Sequence, residues 1–163
     1  GPSPGSRITG AGGGTGVGGQ KGGEGLVQIG STGRALKPSE SEKCGLVTWP
    51  FAIDGVAIVV NHANPVGELS KDQLKKIFAG EIGNWKEVGG ADAAISVYIR
   101  EDGSGTRETF EERALDKGQS ATGSNVVNSN GAMKTAVAQD KNAIGSWGSA
   151  ILTRLSKALS WTA

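Results

Sequence analysis

Ile99-Arg100-Glu101-Asp102-Gly103-Ser104-Gly105-Thr106-Arg107 lies between an apolar run and a helical pattern. Upstream, residues 94–99 (AISVYI) are β-branched and apolar enough for a buried strand. Downstream, residues 108–115 are rich in helix formers. The nine residues therefore read as a strand end, a glycine-rich turn and a helix N-terminus. Such a turn offers an oxyanion the unpaired N–H groups of a first helical turn, the positive end of the helix dipole, and the hydroxyls of Ser104 and Thr106. Arg100 adds a charged fork at the strand end. The same residues also suit an ordinary strand-to-helix connection, with Ser or Thr as cap and Gly permitting the turn. The pattern alone leaves both readings open.

Four segments settle the choice by resemblance: FAIDGVAIVVN (51–61), LSKDQLKKIFAGEIGNWKEVGG (69–90), IREDGSGTRETFEE (99–112) and VVNSNGAMKTAVAQDKNAIG (126–145). In this order they resemble the phosphate-binding proteins of bacterial phosphate ABC transporters, over residues 46–145. The resemblance implies an α/β, periplasmic-binding-protein-like (type II) fold of two small lobes around a cleft. Residues 7–54 with 149–163 would make the first lobe and residues 55–148 the second. It implies a receptor for inorganic phosphate, or a close tetrahedral oxyanion, that performs no chemistry, needs no cofactor or metal, serves a membrane ABC permease and works at the periplasmic or extracellular face.

The same resemblance assigns roles residue by residue. Arg100 is the charged fork, Ser104 and Thr106 are hydroxyl donors, and Gly105 is a backbone donor. Thr15 supplies the hydroxyl of the opposing lobe. Thr32 and Gly33 sit in what resembles a second ligand loop (29–37), with Gly33 where the family usually has Ser or Asp. Asp54, at the expected hinge, is a further candidate beside the simpler reading of a turn-forming Asp-Gly. Asp102 is expected to orient Arg100 or the turn. The first strand and helix of the family are expected to be merged or missing, because residues 7–12 align to one family strand but not to two, so the first lobe is expected to be incomplete.

Composition is consistent with this. A chain of 163 residues with net charge +1 and no basic cluster is not expected to bind nucleic acid. One cysteine, Cys44, and one histidine, His62, exclude a disulfide framework and leave no nucleophile with its base. An enzyme acting on nucleotides or phosphoesters is the rival reading, together with a fragmentary binding lobe lacking the full site. The single G-x-G-x-x-G match (Gly14, Gly16, Gly19) falls where glycine is dense, and Lys21 is followed by Gly22 rather than Ser or Thr. No run of 18 apolar residues exists. Residues 1–6 read as a scar or linker.

Glycine makes up 28 of the 163 residues and crowds into 10–33. Residues 12–19 are expected to be a loop and any helix over 18–25 marginal, because each helical glycine costs about 1 kcal/mol against alanine. Residues 26–30 read as a strand, and the apolar run 46–61 is expected to divide near Asp54-Gly55. Residues 69–80 are the best-defined helix, with capping-box spacing at Ser70 and Gln73 and a stop at Gly80. A second helix is expected over 131–140 with Ser129 or Asn130 as cap, then a strand over 143–147 and a last one through 157–161. An under-built first lobe invites self-association.

Overall fold

A computed structural model describes residues 7, 9–10, 12, 14–50, 52, 55–118, 120, 123–148, 156–158 and 160–162. Asp54 and residues 1–6 lie outside the described residues. β1 (Val56–Asn61) begins two residues after the expected division point and is buried over its last four residues. It pairs antiparallel with β5 (Ala143–Gly148), Val56 opposite Gly148 and Val60 opposite Ile144. β5 runs parallel to β3 (Ser96–Arg100), which runs parallel to β4 (Asn125–Val127). With β6 (Ser156–Ala158) on the far side of β1, the sheet order is β4-β3-β5-β1-β6. β2 (Glu68–Ser70) and β7 (Ser160–Thr162) form a separate parallel pair. The expected last strand is thus two short strands in two sheets.

Alternation along β1 sends Ile58 and Val60 to one side and Val59 to the other. The first side packs against α3 (Lys71–Ala79) and α4 (Gly105–Arg113) through Leu74, Ile77, Phe78 and Phe110. The Phe78 and Phe110 rings meet edge to face at 4.6 Å. The second side packs Val59 and Trp147 against Met133 and Val137 of α5 (Asn130–Gln139). Both faces of the strands that carry the turn at 101–104 are therefore covered, and the turn is delivered from a rigid layer.

Capping explains the helix ends. Ser70 accepts from the Gln73 N–H while the Gln73 side chain accepts from the Ser70 N–H, and Gly80 closes α3 in the left-handed region at φ 80°. Ser129 caps α5 by accepting from the Ala132 N–H. Trp85, in the 3-10 turn Trp85–Val88, is buried and its Nε1 donates to the Asn142 carbonyl at 3.0 Å, which makes it a packing residue as expected.

The N-terminal third departs from expectation. Residues Thr15–Gly23, read as loop and marginal turn, form the helix α1. The reason is backbone apposition: a Cβ on Gly18 would lie 2.2 Å from the Ser31 carbonyl oxygen, and one on Gly30 would lie 2.2 Å from the Gly18 carbonyl oxygen. Contact that close returns in packing what glycine loses in helix propensity. Residues 26–30 carry no strand, and neither do residues 46–50, the first half of the divided run. A short helix, α2 (Pro38–Cys44), follows and ends at Gly45 in the left-handed region.

Candidate anion site

α4 starts where it does because Ser104, extended at φ −73° and ψ 119°, turns its hydroxyl back onto the Arg107 N–H at 3.3 Å. The first helical bond then runs from the Glu108 N–H to the Ser104 carbonyl. The N–H groups of Gly105 and Thr106, in the first turn, have no acceptor within the helix and face out of its end. Gly103, at φ 80°, makes the turn that brings the chain from β3 to this point.

The N-terminus of α1 is laid directly against this turn. The Gly16 N–H donates to the Gly103 carbonyl at 3.0 Å. A Cβ on Gly14 would stand 2.8 Å from that same oxygen, and one on Gly105 would stand 2.2 Å from Thr15 Oγ1 and 3.2 Å from the Gly33 carbonyl carbon. Thr15 is 4% exposed and its hydroxyl oxygen accepts from the Gly33 N–H at 2.9 Å, so the hydroxyl hydrogen stays available to donate. Two helix N-termini, each nine residues of aligned dipoles, thus converge on one spot with Thr15, Gly33, Ser104, Gly105 and Thr106 around it.

The charged candidates are held by the protein. Arg100, at the end of β3, is 7% exposed and forks on Glu101, Nε to Oε2 at 2.8 Å and Nη2 to Oε1 at 2.9 Å, while Nη1 donates to Asn130 Oδ1 at 2.6 Å. The Arg100 guanidinium accordingly holds the Glu101 carboxyl below its ordinary range. Asp102, expected to orient Arg100 or the turn, does the second: it receives Arg107 Nη1 at 2.7 Å rather than the Arg100 guanidinium. Arg107 also donates to the Arg100 carbonyl at 3.1 Å and to Glu111 at 2.8 Å, bracing the whole turn. Thr32 donates within its own loop, to the Arg34 carbonyl at 2.9 Å.

Two arginines beside the turn escaped the sequence reading. Arg107 had a legible signal, the i,i+4 spacing to Glu111 on a helix. Arg34 had none, because its partner Glu108 is 74 residues away. Arg34 forks on Glu40 at 2.9 and 3.0 Å and reaches Glu108 with Nε. The Arg34 guanidinium, with a backbone N–H at Lys37, draws the Glu40 carboxyl down to about 2. Chemically the site can donate hydrogen bonds to an anion, and the three carboxylates nearest the turn, Glu101, Asp102 and Glu108, are each held by an arginine.

Comparison with known proteins agrees with this architecture. A PBP superfamily domain model matches residues 3–160. The phosphate-binding protein PstS of Bacillus subtilis is 42% identical over 134 residues, 82% of this chain and 44% of that protein. A structure from Clostridium perfringens, described as a phosphate ABC transporter substrate-binding protein with bound phosphate, superposes with a TM-score of 0.85 at 36% identity, covering 91% of this chain and 61% of that one. An ABC-type phosphate transport receptor of Vibrio cholerae gives a TM-score of 0.69 at 39% identity, covering 90% of this chain and 62% of that one. The chain therefore spans less than half of the curated relative and about three fifths of each of these structures. No helix among the described residues is long and apolar enough to cross a membrane. Fold and sequence together place it plainly: with an α/β, periplasmic-binding-protein-like fold and relatives that are phosphate-binding proteins, the chain belongs to the PBP superfamily.

Proposed function

We propose that this chain binds phosphate, or a similar tetrahedral oxyanion, without chemical change, as part of a receptor that delivers it to a membrane ABC permease outside the cytoplasmic membrane. The observation that carries the reading is the meeting of Thr15 Oγ1, the Gly33 N–H and Gly105 where the N-termini of α1 and α4 come together. Helix ends of this kind favour anions through both their open N–H groups and their dipoles. Gly105 and Thr106 would donate from the backbone and Thr15, Ser104 and Thr106 from their hydroxyls, Ser104 also capping the turn. Arg100 supplies positive charge beside the cradle, with its guanidinium anchored by Glu101 and Asn130. Residues 7–54 would form one wall of the cleft and residues 55–148 the other, with the tail strands β6 and β7 on that second wall beside β1 and β2.

Isothermal titration of the chain with phosphate, sulfate and a nucleotide tests this. Phosphate should bind with one-to-one stoichiometry and survive unaltered. Sulfate should compete with little penalty, because phosphate's remaining proton needs an acceptor and the neighbouring carboxylates are occupied. Heat from neither oxyanion at millimolar concentration, or turnover of the nucleotide, would overturn the reading.

A further inference from the structure

Arg34 is the hub of a second charge cluster that touches the cradle from outside. Its side chain is 14% exposed, and its donors go to Glu40 of α2, to Glu108 of α4 and, from Nη1, to the Ala35 carbonyl at 2.8 Å. Among the described residues, Arg34–Glu108 is the one ion pair that joins residues 14–50 to residues 55–148. Arg34 is also the next residue after Gly33, whose N–H is bound to Thr15. Glu108 sits in the first turn of α4, where its charge is favourable to the helix but opposes an anion entering at the same end.

We propose that Arg34 is a positioning residue for the anion cradle: by bridging Glu40 and Glu108 it holds the Thr15–Gly33 half against the Gly105 half, and it neutralises the carboxylate that would otherwise repel the anion. This rests on the reading of the preceding section. The fork on Glu40 fixes the plane of the guanidinium, so its third edge is aimed at Glu108 without further ordering. A lysine at this position would keep the charge and lose the fork. Two separable effects follow. Removing Arg34 both loosens the contact between the halves and uncovers Glu108, whereas removing Glu108 as well takes away the repulsion and leaves only the loosening.

The test uses the full chain as wild type, Arg34→Ala, Arg34→Lys, Glu108→Gln and the Arg34→Ala/Glu108→Gln double variant. Phosphate affinity is read by calorimetry, and amide exchange at Gly16 and Gly33 is read without phosphate. Arg34→Ala should weaken phosphate binding about tenfold or more and speed exchange at both amides. Arg34→Lys should fall between it and wild type. The double variant should bind phosphate more tightly than Arg34→Ala while keeping its fast exchange. A double variant no tighter than Arg34→Ala would overturn the proposal, since that is the outcome if Arg34 touches the anion itself or merely supports α2. Wild-type affinity in Arg34→Ala would overturn it equally. If the wild type takes up no phosphate, the preceding reading fails, and the exchange measurement still decides the bridge: unchanged protection at Gly16 and Gly33 in Arg34→Ala sinks it.

Discussion

Replacing Gly105 with alanine adds one methyl group at the point where the two helix ends meet. That carbon would land 2.2 Å from Thr15 Oγ1 and 3.2 Å from Thr15 Cβ, while ordinary contact begins near 3.4 Å, so the halves must part by about 1.2 Å. Thr15 cannot yield by swinging a long side chain, because its hydroxyl is one bond from Cβ and is pinned by the Gly33 N–H. The overpacking costs about 1–3 kcal/mol, offset by at most about 1 kcal/mol of better helix propensity. The net loss of stability should be about 0–3 kcal/mol, which leaves the protein folded. Anion binding should suffer more. Parting the walls breaks at least one hydrogen bond to a charged group, about 1.5–3 kcal/mol, or roughly ten- to a hundredfold in Kd by phosphate titration. Gly67→Ala, where nothing lies within 4 Å, is the control and should change neither quantity. Adding Thr15→Ala to Gly105→Ala should restore thermal stability but not affinity. Wild-type phosphate affinity in Gly105→Ala would refute the placement of the cradle.

Acid should release α2 before the central sheet. Arg34 lowers the Glu40 carboxyl from 4.5 to about 2, so the stabilisation from this pair is complete above about pH 4.5 and disappears as pH falls through about 2. The carboxyl carbon shift of Glu40 should titrate near 2 in the wild type and move up toward the ordinary value in Arg34→Ala, where the Lys37 N–H still holds it down; a wild-type midpoint at 4.5 would disprove the pairing. Self-association is the other expectation. Leu26, Ile29, Val47 and Trp49 are 67–90% exposed, and a second copy pairing through them should raise the light-scattering mass above that of a monomer, reversed by Trp49→Ser. A strictly monomeric wild type would refute it.

What the sequence made legible was local. The capping box at Ser70 and Gln73, the stop at Gly80, the Ser129 cap and the packing role of Trp85 each depend on residues a few positions apart, and each stands in the structure as expected. The strand-turn-helix at residues 96–113 was readable for the same reason. α1 was not, because propensity counts what a helix loses by carrying glycine and cannot see residues 30–31 and 103 pressed against it. The strand expected at 26–30 failed for lack of a pairing partner, which no local pattern reports. Thr15, Gly33 and Gly105, singled out in the sequence, lie together in the fold, while the alliances of the arginines were not foreseen. Arg100 chose its neighbour Glu101 rather than Asp102, and Arg34 chose a residue 74 positions on.

The backbone contact between Gly18 and residues 30–31 has a consequence for how this chain tolerates change. Ordinarily a large apolar side chain is the risky place to mutate and a featureless glycine the safe one. Here the order inverts. Ile29, 90% exposed, touches little and should accept almost any replacement in the monomer, whereas even a methyl at Gly18 or Gly30 would strike a carbonyl oxygen at 2.2 Å. A saturation library over residues 14–33 would therefore be dominated by losses at positions that carry no chemistry at all. A map of intolerance drawn there would trace the seam where two stretches of main chain lie together, one step removed from the residues that would hold the anion.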